Sequence, residues 1–256
     1  MKNKHIYKYL SKQAFIKVIK SGILFSEPRC WSDGYERRFY LADYGKITQD
    51  FPVKLYASCF TLVKDNEAAW KAYLIGRDQK SERIVPEEQL CFRLKINRKR
   101  FRKMLCEHRL YDFYEVPVQY LPEYDIKNLH LSNVPKVKRL HDSIFCKSKF
   151  ALDDFLSLLS LKRECFAYEK EVRYFAVPKS NSESEEVTKS FNSLRGFVSM
   201  IEEIVVARPY GDFELDDVDL RDLQDELETL CGGKLPRIVS NNIYDDYDDP
   251  EVEIIL

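Results

Sequence analysis

Glycine is scarce in this sequence, with eight residues in 256. None fall into GxGxxG or GxxxxGK[ST] order, so neither glycine-rich loop that cradles phosphates is present. Histidine is rarer still. His5, His108, His130 and His141 are scattered, and HExxH and CxxC are both missing, which argues against a metal site. His130 and His141 are eleven residues apart, a weak basis for a ligand pair. There is no GxSxG elbow, and nothing marks one cysteine as the partner of a catalytic histidine. No stretch approaches 18 uncharged apolar residues, which excludes a transmembrane helix and gives no reason to expect a membrane partner. The seven cysteines are odd in number and well separated, and no apolar signal core follows Met1-Lys2-Asn3-Lys4-His5. They read as reduced thiols, and the expected location is the cytoplasm. An excess of either charge is lacking too. With 41 basic and 42 acidic residues the net charge is −1, which excludes bulk attraction to nucleic acid and leaves only a local patch.

What is there suffices for a packed core. The chain is 45% hydrophobic and 32% charged, and its length can bury a core without disulfides or structural metal. Tyrosine and phenylalanine number 16 each, enough for both sheet packing and ring-stacking surfaces.

The pattern predicts interleaved strands and helices. His5–Tyr9 alternates as a strand, Ser11 caps a helix carrying Ala14, Phe15, Val18 and Ile19, and Gly22 closes it. A short strand at 23–25 precedes a long loop over 29–54. The apolar run 55–62 reads as a central strand. Asp65 or Asn66 caps a helix through Trp70 and Tyr73, and 89–96 is a strand. Asn97 opens a basic helix to about Glu107. Residues 113–120 form a strand that Pro117 assigns to an edge. A helix at 152–161, a strand at 169–177 and a mobile polar loop at 179–190 follow. Then come a strand at 204–207, an acidic helix at 213–230, and short strands at 237–240 and 252–256. With no repeat and no linker, the expected fold is one α+β domain over residues 1–256, with a mixed or mainly antiparallel sheet flanked by helices.

Four segments stand out. On a strand, period two puts Glu169, Glu171, Arg173 and Phe175 on one face, a charged row that burial penalises unless its members pair or meet a polar ligand. The ordinary reading is a solvent-facing strand with an ion pair of little worth. Trp70 and Tyr73 share a helix face after Cys59-Phe60. His5, Tyr7 and Tyr9 share a strand face. Trp31-Ser32-Asp33-Gly34-Tyr35-Glu36 reads as a turn. Separately, the basic helix carries Arg98, Lys99 and Arg102, which could contact nucleic-acid phosphates without reading sequence. Its ordinary reading is a solvated helix balanced by the acidic stretches 212–228 and 245–253.

In this order the segments resemble the bacterial domain-of-unknown-function family 2971. The motifs are Tyr7-Lys8-Tyr9, Asp33-Gly34-Tyr35-Glu36, Cys59-Phe60, Trp70-Lys71-Ala72-Tyr73 and Tyr168-Glu169-Lys170-Glu171-Val172-Arg173. Gly34 stands where the family has proline, and the charged segment 75–89 replaces a glycine-containing strand. The arrangement also resembles, more weakly, that of ADP-ribosyltransferases, which bind NAD in the cleft of a split antiparallel sheet. That resemblance implies Glu171 as the carboxylate stabilising an oxocarbenium-like transition state, with Glu169 orienting the acceptor or taking its proton. The two could exchange roles. It implies His5 or Tyr7 on the NAD ribose, Tyr9 or Tyr73 as the stacking ring, and Arg173 anchoring Glu171 or a phosphate. NAD is then a substrate, no metal is needed, and the acceptor is nucleic acid or protein. The cellular role implied is an intracellular toxin or phage-defence effector, with a neutralising partner. The rival expectations are a non-catalytic nucleotide- or nucleic-acid-binding module and a metal-independent nuclease.

Overall fold

The computed structural model describes residues 3–41, 54–66, 68–70, 90–145, 151–179, 188–191, 194–207 and 217–241. In chain order the elements are β1 (His5–Ser11), α1 (Lys12–Ser21), β2 (Leu24–Ser26), a 3-10 turn (Pro28–Cys30) and α2 (Gly34–Leu41). Next come β3 (Tyr56–Thr61), β4 (Cys91–Asn97), α3 (Arg98–Cys106), β5 (Tyr111–Pro117), β6 (Gln119–Leu121) and α4 (Glu123–Lys127). A 3-10 turn (Leu129–Leu131), α5 (Pro135–Phe145), α6 (Leu152–Leu158), β7 (Leu161–Arg163), a 3-10 segment (Glu164–Glu169) and β8 (Glu171–Pro178) follow. The chain then runs through β9 (Thr188–Ser190), α7 (Leu194–Val198), β10 (Ile201–Ala207), α8 (Asp217–Cys231) and β11 (Ile238–Ser240).

Local chemistry fixes the helix ends. The Ser11 hydroxyl accepts from the Ala14 N–H at 3.3 Å, and Gly22, at φ 79°, closes α1 with its N–H on the Val18 carbonyl. Asn97 caps α3 through the Arg100 N–H at 3.1 Å. Asn66, not Asp65, caps the helical turn at 68–70, accepting from the Ala69 N–H at 3.1 Å. Each cap contributes about 1 kcal/mol.

The fold is α+β, with a mainly antiparallel sheet flanked by helices. Among the described residues nine strands join in one sheet, and β6 and β7 form a separate parallel pair. The large sheet has two halves. In one, β1 pairs with β4 over seven registered residues, β4 with β10, and β10 with β11. In the other, β3 pairs with β8 over six, β8 with β5, and β2 with β9. Between β1 and β3 a single registered pair remains, Tyr7 opposite Thr61. The sheet splits there.

The faces follow period two. Ile6, Leu10, Phe92, Leu94, Phe60 and Tyr174 join one continuous core, in which α1 buries Phe15, Val18 and Ile19. Phe15 stacks on Phe92 at 4.1 Å. On the other face are two smaller cores, one around Ala57, Phe175, Val177 and α6, the other around Tyr7, Tyr9, Trp70 and Cys91. The split lies between them.

Several expectations change. The loop predicted over 29–54 contains α2, which the Gly-Tyr-Glu-Arg-Arg-Phe-Tyr-Leu sequence signals only weakly, because its buried residues are just Glu36 and Phe39. The strand expected from Glu169 begins at Glu171. Lys170 takes φ 44°, the left-handed conformation, and Glu169 ends the 3-10 segment before it. Among the described residues β5 does lie at an edge, pairing only with β8, with Pro117 as its last residue. Residues 252–256, most of 179–190 and Tyr73 lie outside the described residues.

Candidate functional site

A cavity of about 400 Å³ opens at the split, on the face between the two smaller cores. β1 lines it with Tyr7, Lys8 and Tyr9, and β3 with Cys59, Phe60 and Thr61. Trp31, Asp33 and Glu36 come from the turn and first helical residues of α2. Lys162 comes from β7, and Phe166, Tyr168 and Glu169 from the 3-10 segment. Glu171 is the first residue of β8.

Lys8 spans the gap where ladder bonds are missing. Its ammonium donates to the Cys59 carbonyl at 2.8 Å and to Ser58 Oγ at 3.1 Å, and lies 4.7 Å from the Phe60 ring centroid. Burial lowers its proton affinity, a pull that the nearby Cys59 and Glu171 offset only in part.

Glu171 is 6% exposed. Arg173 Nε donates to its Oε1 at 2.7 Å, Lys162 Nζ to its Oε2 at 2.9 Å, and the Cys59 thiol adds a hydrogen bond. Its own N–H donates to the Tyr120 hydroxyl at 2.8 Å. Burial alone would push this carboxyl up. Arg173 and then Lys162 outweigh it and hold Glu171 well below the usual carboxylate range. Glu169 differs. Lys162 Nζ reaches it at 2.6 Å, yet burial, with Glu171 beside it, raises its proton affinity. One lysine thus bridges two carboxylates of opposite tendency.

Arg173 is 1% exposed and lies behind the cavity wall. It donates to Glu36, Glu171 and the Leu159 carbonyl, and its guanidinium sits 4.3 Å from the Trp31 ring centroid. It therefore braces Glu171 and the Trp31 indole together. Glu36 completes the cluster with an oxygen 3.6 Å from Lys162.

The candidate residues fall into three groups. Glu169, Glu171, Tyr7 and Tyr9 meet at the cavity, with Arg173 immediately behind. The Tyr9 hydroxyl is already engaged, donating to the Lys64 carbonyl at 2.6 Å and accepting from the Asn66 N–H at 3.1 Å, and its ring packs edge-on against Trp70 at 4.9 Å. Burial pushes this phenol up to about 12. His5 is not among the lining residues. It pairs with Glu202 at 2.7 Å, on the far side of β1 from β3. Tyr73 is outside the described residues. Arg98, expected at the surface, is mostly buried, paired with Glu115 and donating to the Asn3 carbonyl. Lys99 is exposed, and so is Arg102, whose Nε lies 3.5 Å from Glu115.

Sequence reasoning missed Lys162, Glu36 and Tyr120. Glu36 stood in a quoted motif as a turn residue. Lys162 lies seven and nine residues before the carboxylates it bridges, on a different element from either, so no local signal marked it.

Among the described residues no group of three or more His, Cys, Asp or Glu side chains is arranged to hold a metal ion. No helix there is long and apolar enough to cross a membrane.

No family model matches the chain, nor does any curated protein. The resemblance to family 2971 therefore has no support beyond the quoted motifs. Among solved structures, DarT of Thermus sp. 2.9 in complex with NAD+ is 11% identical with a TM-score of 0.39, covering 94% of this chain and 96% of that one. The same protein in complex with carba-NAD+ gives 11%, 0.39, 94% and 97%. In complex with ADP-ribosylated ssDNA it gives 13%, 0.41, 94% and 95%. These likenesses are too remote to assign a ligand or a reaction to this chain.

Proposed function

We propose that the chain is an NAD-dependent ADP-ribosyltransferase-like enzyme whose catalytic carboxylate is Glu171. One observation carries the reading. A glutamate held ionised by Arg173 and Lys162 sits at the floor of a cleft where an antiparallel sheet splits, with Tyr7, Trp31, Phe166 and Tyr168 around it. Fixed negative charge in such a cleft stabilises a ribosyl cation as it forms. In the reaction the C1′–N bond breaks, and its electron pair passes to the nicotinamide ring and neutralises it. The acceptor forms the new bond to C1′ and gives up its proton. Glu169, with its raised proton affinity, suits that proton better than Glu171 does. Tyr7 is the ribose contact that β1 offers to the cleft.

The acceptor in this reading is nucleic acid or protein, with Lys99 and Arg102 among the exposed cations of α3. The corresponding biological role is a bacterial toxin or phage-defence effector acting in the cytoplasm, with a partner that neutralises it.

One observation favours the second reading, a binding module without turnover. Both Glu171 oxygens already accept hydrogen bonds, as a purely structural carboxylate would. The nuclease reading has less support, since no histidine lines the cavity among the described residues.

The test is nicotinamide release from labelled NAD, with total cell RNA, DNA and protein offered as acceptors. Glu171→Gln should lose roughly 3 kcal/mol of transition-state stabilisation, about a hundredfold in rate. NAD binding with no release by the wild type refutes the enzyme and leaves the module.

A further inference from the structure

A second cavity, of about 560 Å³, adjoins the first and shares Ser32, Asp33 and Phe166 with it. Its remaining lining is Gly34, Tyr35, Arg38 and Arg163. The two walls differ in charge. The first presents four carboxylates, Asp33, Glu36, Glu169 and Glu171, against the ammonium groups of Lys8 and Lys162. Among the described residues, the second presents the guanidinium groups of Arg38 and Arg163 and the carboxylate of Asp33.

Arg163 is held in place without being used up. Its Nη2 donates to Asp33 at 3.0 Å, and Nη1 lies 3.8 Å from the half-exposed Glu123, a weak contact that solvent screens. Its guanidinium lies 4.7 Å from the Tyr35 ring centroid and 5.1 Å from that of Phe166. Arg38 donates to the Ile126 carbonyl and lies 5.6 Å from the Tyr35 ring on the same wall. Planar guanidinium groups suit phosphate oxygens, and the Nε of Arg163 has no hydrogen-bond partner among the described residues. The neighbouring rings give a nucleoside flat apolar surface.

NAD is itself divided in charge, with a cationic nicotinamide ring at one end and an anionic diphosphate leading to adenosine at the other. We propose that the second cavity is the ADP subsite. Arg38 and Arg163 hold the diphosphate, Tyr35 and Phe166 flank the adenosine, and the acidic first cavity receives the nicotinamide riboside. The assignment rests on the transferase reading only for the identity of the whole ligand. Its own content is a nucleoside diphosphate at these four side chains.

The test is calorimetry of the full chain with ADP alone, then with nicotinamide riboside alone. The wild type should bind ADP with an affinity that falls as salt rises. Arg38→Gln and Arg163→Gln should each weaken ADP at least fivefold, and together at least twentyfold, while nicotinamide riboside changes less than twofold. Arg163→Lys keeps the charge but not the planar fork and should lie between wild type and Arg163→Gln. Thermal melts check that each variant is folded, and Arg38→Gln alone decides if Arg163→Gln is not. No ADP binding by the wild type at millimolar concentration overturns the proposal, as does a folded variant set that binds ADP within twofold of wild type. The two readings fail separately. NAD turnover with arginine-independent ADP binding sinks the subsite alone. Arginine-dependent ADP binding without turnover sinks the transferase alone.

Discussion

Replacing Glu171 by Gln tests the electrostatic reading of the site through stability, with no substrate needed. Gln keeps the size but removes the charge that faces Arg173 and Lys162, which are 1% and 12% exposed at the side chain. Taking one partner from a buried ion pair leaves the others uncompensated and costs about 3 kcal/mol or more. For a chain of this size that lowers Tm by roughly 6–12 °C. The pH dependence has a definite sign. Glu171 titrates lower in the folded chain than in the unfolded one. Its contribution is therefore full above the unfolded value of about 4.3 and is lost as pH falls toward the folded value. The gap between wild type and variant should be widest near pH 7 and narrow below about pH 4.5. Glu169 has the opposite sign, because its folded proton affinity is raised. Its contribution is full below the unfolded value and lost as pH rises through the folded one. Glu169→Gln should therefore hold or raise Tm at pH 7 and show no advantage at pH 4. Calorimetric melts of the three proteins from pH 7.5 to 3.5 decide. A Glu171→Gln melt within 2 °C of wild type at pH 7, or a gap that does not change with pH, would refute the idea that Glu171 is a buried, paired anion.

Three further outcomes follow from other contacts. Lys162→Met removes the ammonium shared by Glu169 and Glu171 and should destabilise the chain by about 3 kcal/mol at pH 7, less at pH 4, in urea titrations. Lys170→Gly should stabilise by about 1 kcal/mol, since the left-handed backbone at φ 44° is unfavourable for a residue with a Cβ, whereas Lys170→Val should destabilise; equal melts for the two would refute the strain. On α3, Lys99→Gln with Arg102→Gln should leave the melt within about 0.5 kcal/mol, while Arg98→Gln should cost about 1–2 kcal/mol through Glu115. If α3 meets nucleic acid, the Lys99 and Arg102 changes flatten the salt dependence of binding, and an unchanged slope returns the helix to an ordinary solvated face.

Much of the fold was legible because its signals are local. Ser11, Gly22 and Asn97 mark helix ends by side-chain and backbone chemistry that needs no tertiary contact. The alternation that sends Arg173 and Phe175 to one face and Val172 and Tyr174 to the other is also a local property of β8. α2 was not legible, because its inward residues include a glutamate. Glu36 is buried since Arg173 is there to meet it, and Arg173 is 137 positions away. His5 shares the Tyr7 face as period two requires, but strand order decides its partner. With β4 and then β10 on that side of β1, His5 falls beside Glu202 rather than in the cleft.

The convergence of Glu169 and Glu171 was expected for a reason that the structure replaces. A continuous strand would place both on one face, their charges adjacent along a straight edge. Instead the left-handed turn at Lys170 ends the 3-10 segment, and Thr61 at the end of β3 pins that turn by donating to the Glu169 carbonyl. The Leu62 N–H holds the Lys170 carbonyl at 3.1 Å. Glu169 thus reaches the cavity from the 3-10 segment and Glu171 from the sheet, and Lys162 meets both between them. The difference matters chemically. On one strand the two carboxylates would share one environment. Here Lys162 still serves both, but Glu171 is also tied to the buried Arg173, whereas the less buried Glu169 has Lys162 as its cation and Glu171 as its neighbour. Their proton affinities are driven apart, and that separation gives two like residues the distinct duties of fixed anion and proton acceptor.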